Sequence, residues 1–237
     1  MVGFGPGSWG KLTLEVQDLL LGADRILMRD PASWEVAREL QKRGKRLISL
    51  SSLYLLGFPM DDMYPLMADV VVQSARRYGP LVYALPGNPM VFEFSTLMLR
   101  RRAREFGLSC TLVEGMSCLE TLFVSHNIDP GLGLQVLNFV HFDEKPQLLP
   151  DLPVLMFQVG APACVFPPAQ PWRPNLLRLK DHLLACGYPP TQPAFLLKPG
   201  PQGQISVEGR VSHLEQLEEY LNSTSTLYLP PRWLYTR

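Results

Sequence analysis

Three apolar, strand-like segments of this chain end in glycine-rich turns, and each turn leads into a helical segment. Met1 to Phe4 runs into Gly3-Phe4-Gly5-Pro6-Gly7-Ser8, Leu81 to Leu85 into Pro86-Gly87-Asn88-Pro89, and Cys110 to Val113 into Glu114-Gly115-Met116-Ser117. Parallel strands need a crossover of about a dozen residues, which a helix supplies. The order strand, turn, helix therefore predicts a mostly parallel sheet covered by helices.

The intervening segments agree. Leu12 to Leu20 reads as an amphipathic helix ending near Gly22, and Arg25 to Met28 as a strand. Trp34 to Lys42 is helical and closed by Gly44, and Arg46 to Leu50 is again a strand. Tyr64 to Tyr78 places Leu66, Met67, Val70, Val71 and Ala75 at helical spacing, and Gly79-Pro80 stops it. Helices follow from about Val91 to Phe106 and toward Ser125.

Beyond about residue 130 the texture changes. Strands are expected at Leu134–Phe139, Val154–Val159, Pro193–Leu197 and Thr226–Leu229, and helices at Asn175–Cys186 and Ser212–Leu221. Prolines crowd the stretch from Pro146 to Pro201 and stiffen its loops. The reading is an α/β chain of two domains, 1–114 with a parallel sheet and 115–237 with a mixed sheet, and a cleft between them.

Composition narrows the function. The 237 residues carry 22 Lys plus Arg against 22 Asp plus Glu, which argues against a nucleic-acid partner. The basic run Arg100-Arg101-Arg102-Ala103-Arg104 reads as one solvated helix face. With 46% hydrophobic and 19% charged residues the chain can bury a sizeable core. Cys110, Cys118, Cys164 and Cys186 show no metal spacing and read as buried free thiols of a reducing compartment. No signal peptide stands out, Asn222-Ser223-Thr224 lacks a secretory context, and no apolar run approaches the roughly 18 residues of a membrane span. A cytoplasmic protein that uses neither metal nor membrane is expected.

Ligands of open α/β sheets bind beyond the carboxyl ends of the strands, where the three turns lie. Gly3 and Gly5 fit the first two glycines of a dinucleotide fingerprint, but the third falls on Ser8, and Asp30 is only a weak candidate for its ribose-binding acid. No Gly-Lys-Ser/Thr phosphate loop occurs, and Gly115-Met116-Ser117-Cys118-Leu119 lacks the last glycine of a hydrolase elbow.

Taken together, Gly3 to Ser8, Leu12-Thr13-Leu14 and Ala23-Asp24 resemble the opening signature of the tetrapyrrole (corrin/porphyrin) methylases. The other two turns fall where that family has its further cofactor-proximal turns. The resemblance implies a class III methyltransferase-like fold, with S-adenosylmethionine in the cleft between two α/β domains. Within the superfamily, Met60-Asp61-Asp62-Met63-Tyr64, Pro86 to Phe92, Ser117 to Pro130, Phe157 to Gly160 and Ser225 to Pro231 are similar to the borosin-type peptide backbone α-N-methyltransferases. By that likeness Gly5, Pro6, Pro86, Gly87, Asn88, Val91, Phe92, Ser117, Cys118, Gln158, Ser225 and Thr226 contact the cofactor. Tyr64 and Tyr54 face the substrate as catalytic candidates.

Two positions depart from the branch. Met60 stands where it carries an arginine, and Asn88 where it has a histidine. A backbone amide nitrogen is a poor nucleophile and needs a base or a polarised carbonyl, a role Tyr64 can fill. Tyr64 also reads as an ordinary helix-start aromatic, Tyr54 as a packing residue, and Asp61 and Asp62 as acids favoured by the helix dipole. His126 and His141 read as structural. Gln158 is polar at the end of an apolar strand and needs a partner.

The expected activity is methyl transfer to a peptide supplied in trans. The sequence reads as opening inside its first strand, with no segment after the last strand to act as a fused substrate, so a separate peptide is expected. The alternatives are a tetrapyrrole or other small-molecule acceptor, or a catalytically silent cofactor-binding partner. A homodimer is expected, with Tyr54-Leu55-Leu56-Gly57-Phe58 as interface or lid.

Overall fold

The computed structural model describes residues 1–29, 35–139, 146–160, 173–200, 203–222 and 224–234. Asp30, His141 and Cys164 lie outside the described residues. The chain divides into two compact units, Met1–His126 and Asn127–Arg237. The seam follows the helix at 118–126 instead of preceding it at 114/115 as the sequence reading had it.

The first unit holds a four-stranded parallel sheet in the order β1-β4-β2-β3, from Val2–Gly3, Ile26–Met28, Leu47–Ser49 and Val82–Leu85. Its near-continuous apolar strands are what a sheet covered on both faces requires. On one face Val2, Ile26, Met28 and Ala84 pack with Val16 and Leu20 of α1 (Leu14–Gly22) and with Val36, Ala37 and Leu40 of α2 (Glu35–Lys42). On the other, Leu27, Tyr83 and Leu85 meet Ala68, Val71 and Val72 of α3 (Met60–Tyr78) and Leu99 and Ala103 of α4 (Phe94–Glu105).

Local signals set the helix ends. Thr13 caps α1, its hydroxyl accepting from the Val16 amide at 3.2 Å. Helix α3 begins at Met60, a turn ahead of the expected start, with Asp61 and Asp62 in its first turn and Arg76 and Arg77 in its last. Those charges complement the helix dipole.

Two expectations fail here. Cys110 to Val113 forms no strand: only Val113 bridges to Val2, because β1 is itself just two residues long. The basic run is not uniformly solvated either. Arg102 pairs with Asp69 and Glu105 and stacks over the Phe106 ring, because α3 and α4 pack side by side there.

The second unit is built on a mixed five-stranded sheet, β5-β6-β9-β7-β8, from Gln135–Asn138, Val154–Phe157, Pro193–Gly200, Gly203–Arg210 and Thr226–Leu229. Strands β5 and β6 run parallel and the other neighbours antiparallel. Leu176, Leu179 and Leu183 of α6 (Arg173–Ala185) pack with Val211, Leu214 and Leu217 over Val154, Met156, Leu196 and Leu227. The segment expected as a helix at 212–221 is a 3₁₀ run, Val211–Tyr220, broken at His213. Strand β8 was not anticipated. No helix among the described residues is long and apolar enough to cross a membrane.

Candidate functional site

The three glycine turns meet at the carboxyl edge of the first unit's sheet. The Gly3 amide donates to the Val113 carbonyl at 3.0 Å, and the Phe4 amide to Leu85 at 2.8 Å. A Cβ on Gly3 would lie 2.3 Å from the Gly87 carbonyl oxygen and 2.8 Å from the Gly115 nitrogen. A Cβ on Gly115 would lie 2.2 Å from the Gly3 oxygen and 2.6 Å from that of Gly87. Three backbones thus cross at a distance only glycine permits. Over Gly87, by contrast, an added Cβ meets nothing within 4 Å, so open space adjoins bare main chain. That is a cradle for a ligand approaching backbone amides and carbonyls.

The remaining residues of the second and third turns are locally fixed. The Asn88 side-chain oxygen accepts from the Met90 amide at 2.9 Å, and the Val91 amide donates to the Asn88 carbonyl at 3.1 Å. The Asn88 side-chain NH₂ retains donor capacity toward a ligand. Val91 and Phe92 are half-buried, Pro86 and Gly87 likewise, and Pro6 is exposed beside buried Gly5. Phe92 adopts a left-handed φ of 55°, unusual for a bulky side chain.

Ser117 caps α5 (Cys118–His126). Its hydroxyl accepts from the Leu119 amide at 3.0 Å and donates to Glu120 at 2.5 Å. The hydroxyl thus satisfies one of the free amides of the first turn, so Ser117 has a structural task whatever else it touches. Cys118, at the first position of α5, is exposed, against the expectation of buried thiols, because it lies on the open side of the helix's first turn. Packing around its sulfur nevertheless pushes the thiol up to about 11, with burial the largest cause and the Glu120 charge adding to it. Cys110 and Cys186 are only partly buried.

In the second unit, Gln158 follows β6 with a φ of 57° and is half-buried. The Val159 amide beside it donates to the Ser225 carbonyl at 3.1 Å, and Gly160 packs on the Asn222 backbone. Ser225 is fully buried, its hydroxyl accepting from the Asn222 amide at 2.9 Å, and Thr226 opens β9. Gln158, Ser225 and Thr226, distant in sequence, are therefore neighbours within this unit.

Tyr64 is half-buried in the second turn of α3, and half-buried Tyr54 sits in the 3₁₀ turn Ser51–Leu56, which packs on α3.

One cluster escaped the sequence reading. Tyr83 of β4 is 2% exposed, and burial, followed by the Glu93 charge, raises its phenol far above the ordinary value. Arg29 and Tyr54 are among its electrostatic neighbours. Arg29 pairs with Glu93, which also accepts from the Ser95 hydroxyl. Ser95 is thereby engaged, and the hydroxyls of Tyr83 and Thr96 have no hydrogen-bond partner among the described residues. The available signal was a charged residue directly after the apolar run Ile26–Met28, the same kind of signal that singled out Gln158. Glu35 was missed as well; it accepts from the Trp9 amide at 3.1 Å and anchors the first turn.

The family model of the tetrapyrrole (corrin/porphyrin) methylases matches residues 1–214. This chain belongs to that family. At the sequence level, YabN, an uncharacterized protein of Bacillus subtilis, is 30% identical over 138 residues, 58% of this chain and 28% of YabN. A methyltransferase/type III borosin cyclic peptide precursor of Anomoporia bombycina is 29% identical over 165 residues, 68% of this chain. The match covers 19% of that precursor, so the chain spans less than a third of either relative's length. The uroporphyrin-III C-methyl transferase of Thermus thermophilus, solved with S-adenosyl homocysteine, shares the fold with a TM-score of 0.66. It is 19% identical, and the match covers 97% of this chain and 95% of that one. A parallel-sheet first unit and a mixed-sheet second unit thus recur in this methylase and its structural relatives.

Proposed function

We propose that this chain is an S-adenosylmethionine-dependent methyltransferase that N-methylates backbone amides of a peptide supplied in trans. The observation that carries the reading is the crossing of Gly3, Gly87 and Gly115, with open space over Gly87 at the carboxyl edge of the sheet. When bound there, S-adenosylmethionine supplies a methyl group already activated by its sulfonium charge. The protein's share is alignment and exclusion of water, which supply about 7–11 kcal/mol in well-oriented cases. Gly5, Pro6, Pro86 to Asn88, Val91, Phe92, Ser117 and Cys118 are assigned to the cofactor, and so, in the second unit, are Gln158, Ser225 and Thr226.

Tyr64 and Tyr54 are assigned to the acceptor. Tyr64, donating as a hydroxyl to the acceptor's carbonyl oxygen or, as its phenolate, taking up the amide proton to become the neutral phenol, compensates for the low nucleophilicity of an amide. The peptide acceptor is supported by the borosin relative, which matches over 68% of this chain. A second reading, a tetrapyrrole acceptor, is supported by the family itself and by the shared fold of the uroporphyrin enzyme. A homodimer in a reducing compartment completes the proposal. Leu55, Leu56 and Phe58 present exposed apolar side chains suited to such an interface.

Calorimetry with S-adenosylhomocysteine tests the cofactor assignment. Micromolar binding is expected, and its absence overturns both readings. Mass spectrometry of a peptide and a tetrapyrrole incubated separately with enzyme and cofactor then separates the acceptors: methylation of the tetrapyrrole alone removes the peptide reading.

A further inference from the structure

We infer that Arg29 and Glu93 form a positioning pair that holds the Asn88–Phe92 segment in its ligand-binding shape; the inference rests on the reading of that segment as a cofactor contact. The segment leaves β4 and enters α4, and its last residue, Phe92, is held at a φ of 55°. A bulky residue in the left-handed region persists only where its surroundings impose it. The residue that imposes it is the next one. Glu93 is the N-cap of α4, and both of its carboxylate oxygens are engaged, Oε2 by Arg29 and Oε1 by the Ser95 hydroxyl.

The anchor on the far side is rigid. Arg29 directly follows β2, and its own amide donates to the Ala84 carbonyl of β4 at 3.1 Å. The side chains of Arg29 and Glu93 are 18% and 4% exposed, so the attraction is little screened by solvent. The pair therefore ties the end of β2 to the exit of the second glycine turn, across 64 residues of sequence. Neither side chain needs to touch the ligand for this. Both act through the backbone of Val91 and Phe92.

Removing one partner leaves the other charge buried and destabilises the fold itself, so single truncations confound folding with positioning. The double variant Arg29→Met/Glu93→Gln removes both charges and keeps an acceptor for Ser95. It is expected to melt near the wild-type temperature while its affinity for S-adenosylhomocysteine, by calorimetry, falls about tenfold or more. Arg29→Lys, which keeps a cation opposite Glu93 but loses the planar fork, is expected to recover part of that affinity.

Native affinity in a double variant that melts normally overturns the inference and leaves the pair a purely structural contact. If the double variant melts low, Arg29→Lys decides: native melting with weakened binding supports positioning, and native melting with native binding overturns it. A wild-type protein that does not bind S-adenosylhomocysteine fails at the earlier step, the cofactor reading, and is told apart from both outcomes by that control.

Discussion

Gly5 and Gly87 exchange a reciprocal pair of backbone hydrogen bonds, the Gly5 amide donating to Gly87 at 3.2 Å and the Gly87 amide to Gly5 at 2.8 Å. Both residues have left-handed φ angles, 61° and 66°. The exchange clamps the first turn to the second just beyond the strands that carry them. Immediately behind it lies the crossing of Gly3 and Gly115.

The crossing predicts a sharp contrast among glycines. Gly3→Ala and Gly115→Ala push a methyl to 2.3 and 2.2 Å from backbone oxygens that cannot rotate away. Each is expected to destabilise the protein by about 2–3 kcal/mol. Gly10→Ala, which meets nothing within 4 Å, is expected to stay within about 0.5 kcal/mol of wild type. Urea denaturation of the three variants checks this; equal midpoints would show that the turns do not cross.

Tyr64 is tested by Tyr64→Phe, which removes the hydroxyl and keeps the ring. Single-turnover methyl transfer is expected to slow by about a hundredfold or more. Affinity for S-adenosylhomocysteine should stay within about twofold, since the residue is assigned to the acceptor alone. Unchanged turnover removes Tyr64 from the mechanism.

Much of the fold is legible in the sequence. Strands such as Val82–Leu85 announce themselves because burial on both faces demands unbroken apolar runs ended by glycine turns. Strand β8, Gly203–Arg210, did not, because it alternates polar Gln204, Ser206 and Glu208 with Ile205 and Val207 instead of forming such a run, and its pairing with β7 is decided by register along the hairpin. The turn residues of the site were readable as a set, while the Arg29–Glu93 contact was not. Nothing in a sequence pattern brings two charges together across a sheet edge; only the parallel register of β2 with β4 does so. Cys118 was misjudged because a small thiol in an apolar stretch is usually buried, and the first turn of α5 leaves it open.

Gln158 separates backbone from side chain. Its φ of 57° suits glycine better than any residue with a Cβ, so Gln158→Gly is expected to retain or slightly raise stability, by about 1 kcal/mol at most. If its amide serves the cofactor, affinity for S-adenosylhomocysteine falls in the same variant. Thermal melting and calorimetry on one preparation give both answers, and native affinity would leave Gln158 as a turn residue only.

Cys118 gives a pH-dependent prediction. With its thiol pushed up to about 11, the thiolate fraction at pH 8 is about a thousandth, against roughly a quarter for an ordinary cysteine. Iodoacetamide should therefore label this exposed residue slowly at pH 8. Because the reactive form is the deprotonated one, labelling should accelerate about tenfold per pH unit until the pH approaches the thiol's pKa. Peptide mapping after timed labelling reads this out; rapid modification at pH 8 would contradict the raised pKa.

The seat formed by Gly3, Gly5, Gly87 and Gly115 is made of main chain, and main chain offers nothing to exchange by mutation. Any side chain larger than hydrogen at Gly3 or Gly115 collides with its neighbours. A substitution at either position therefore disturbs all three turns at once, because each backbone is a wall of the other two.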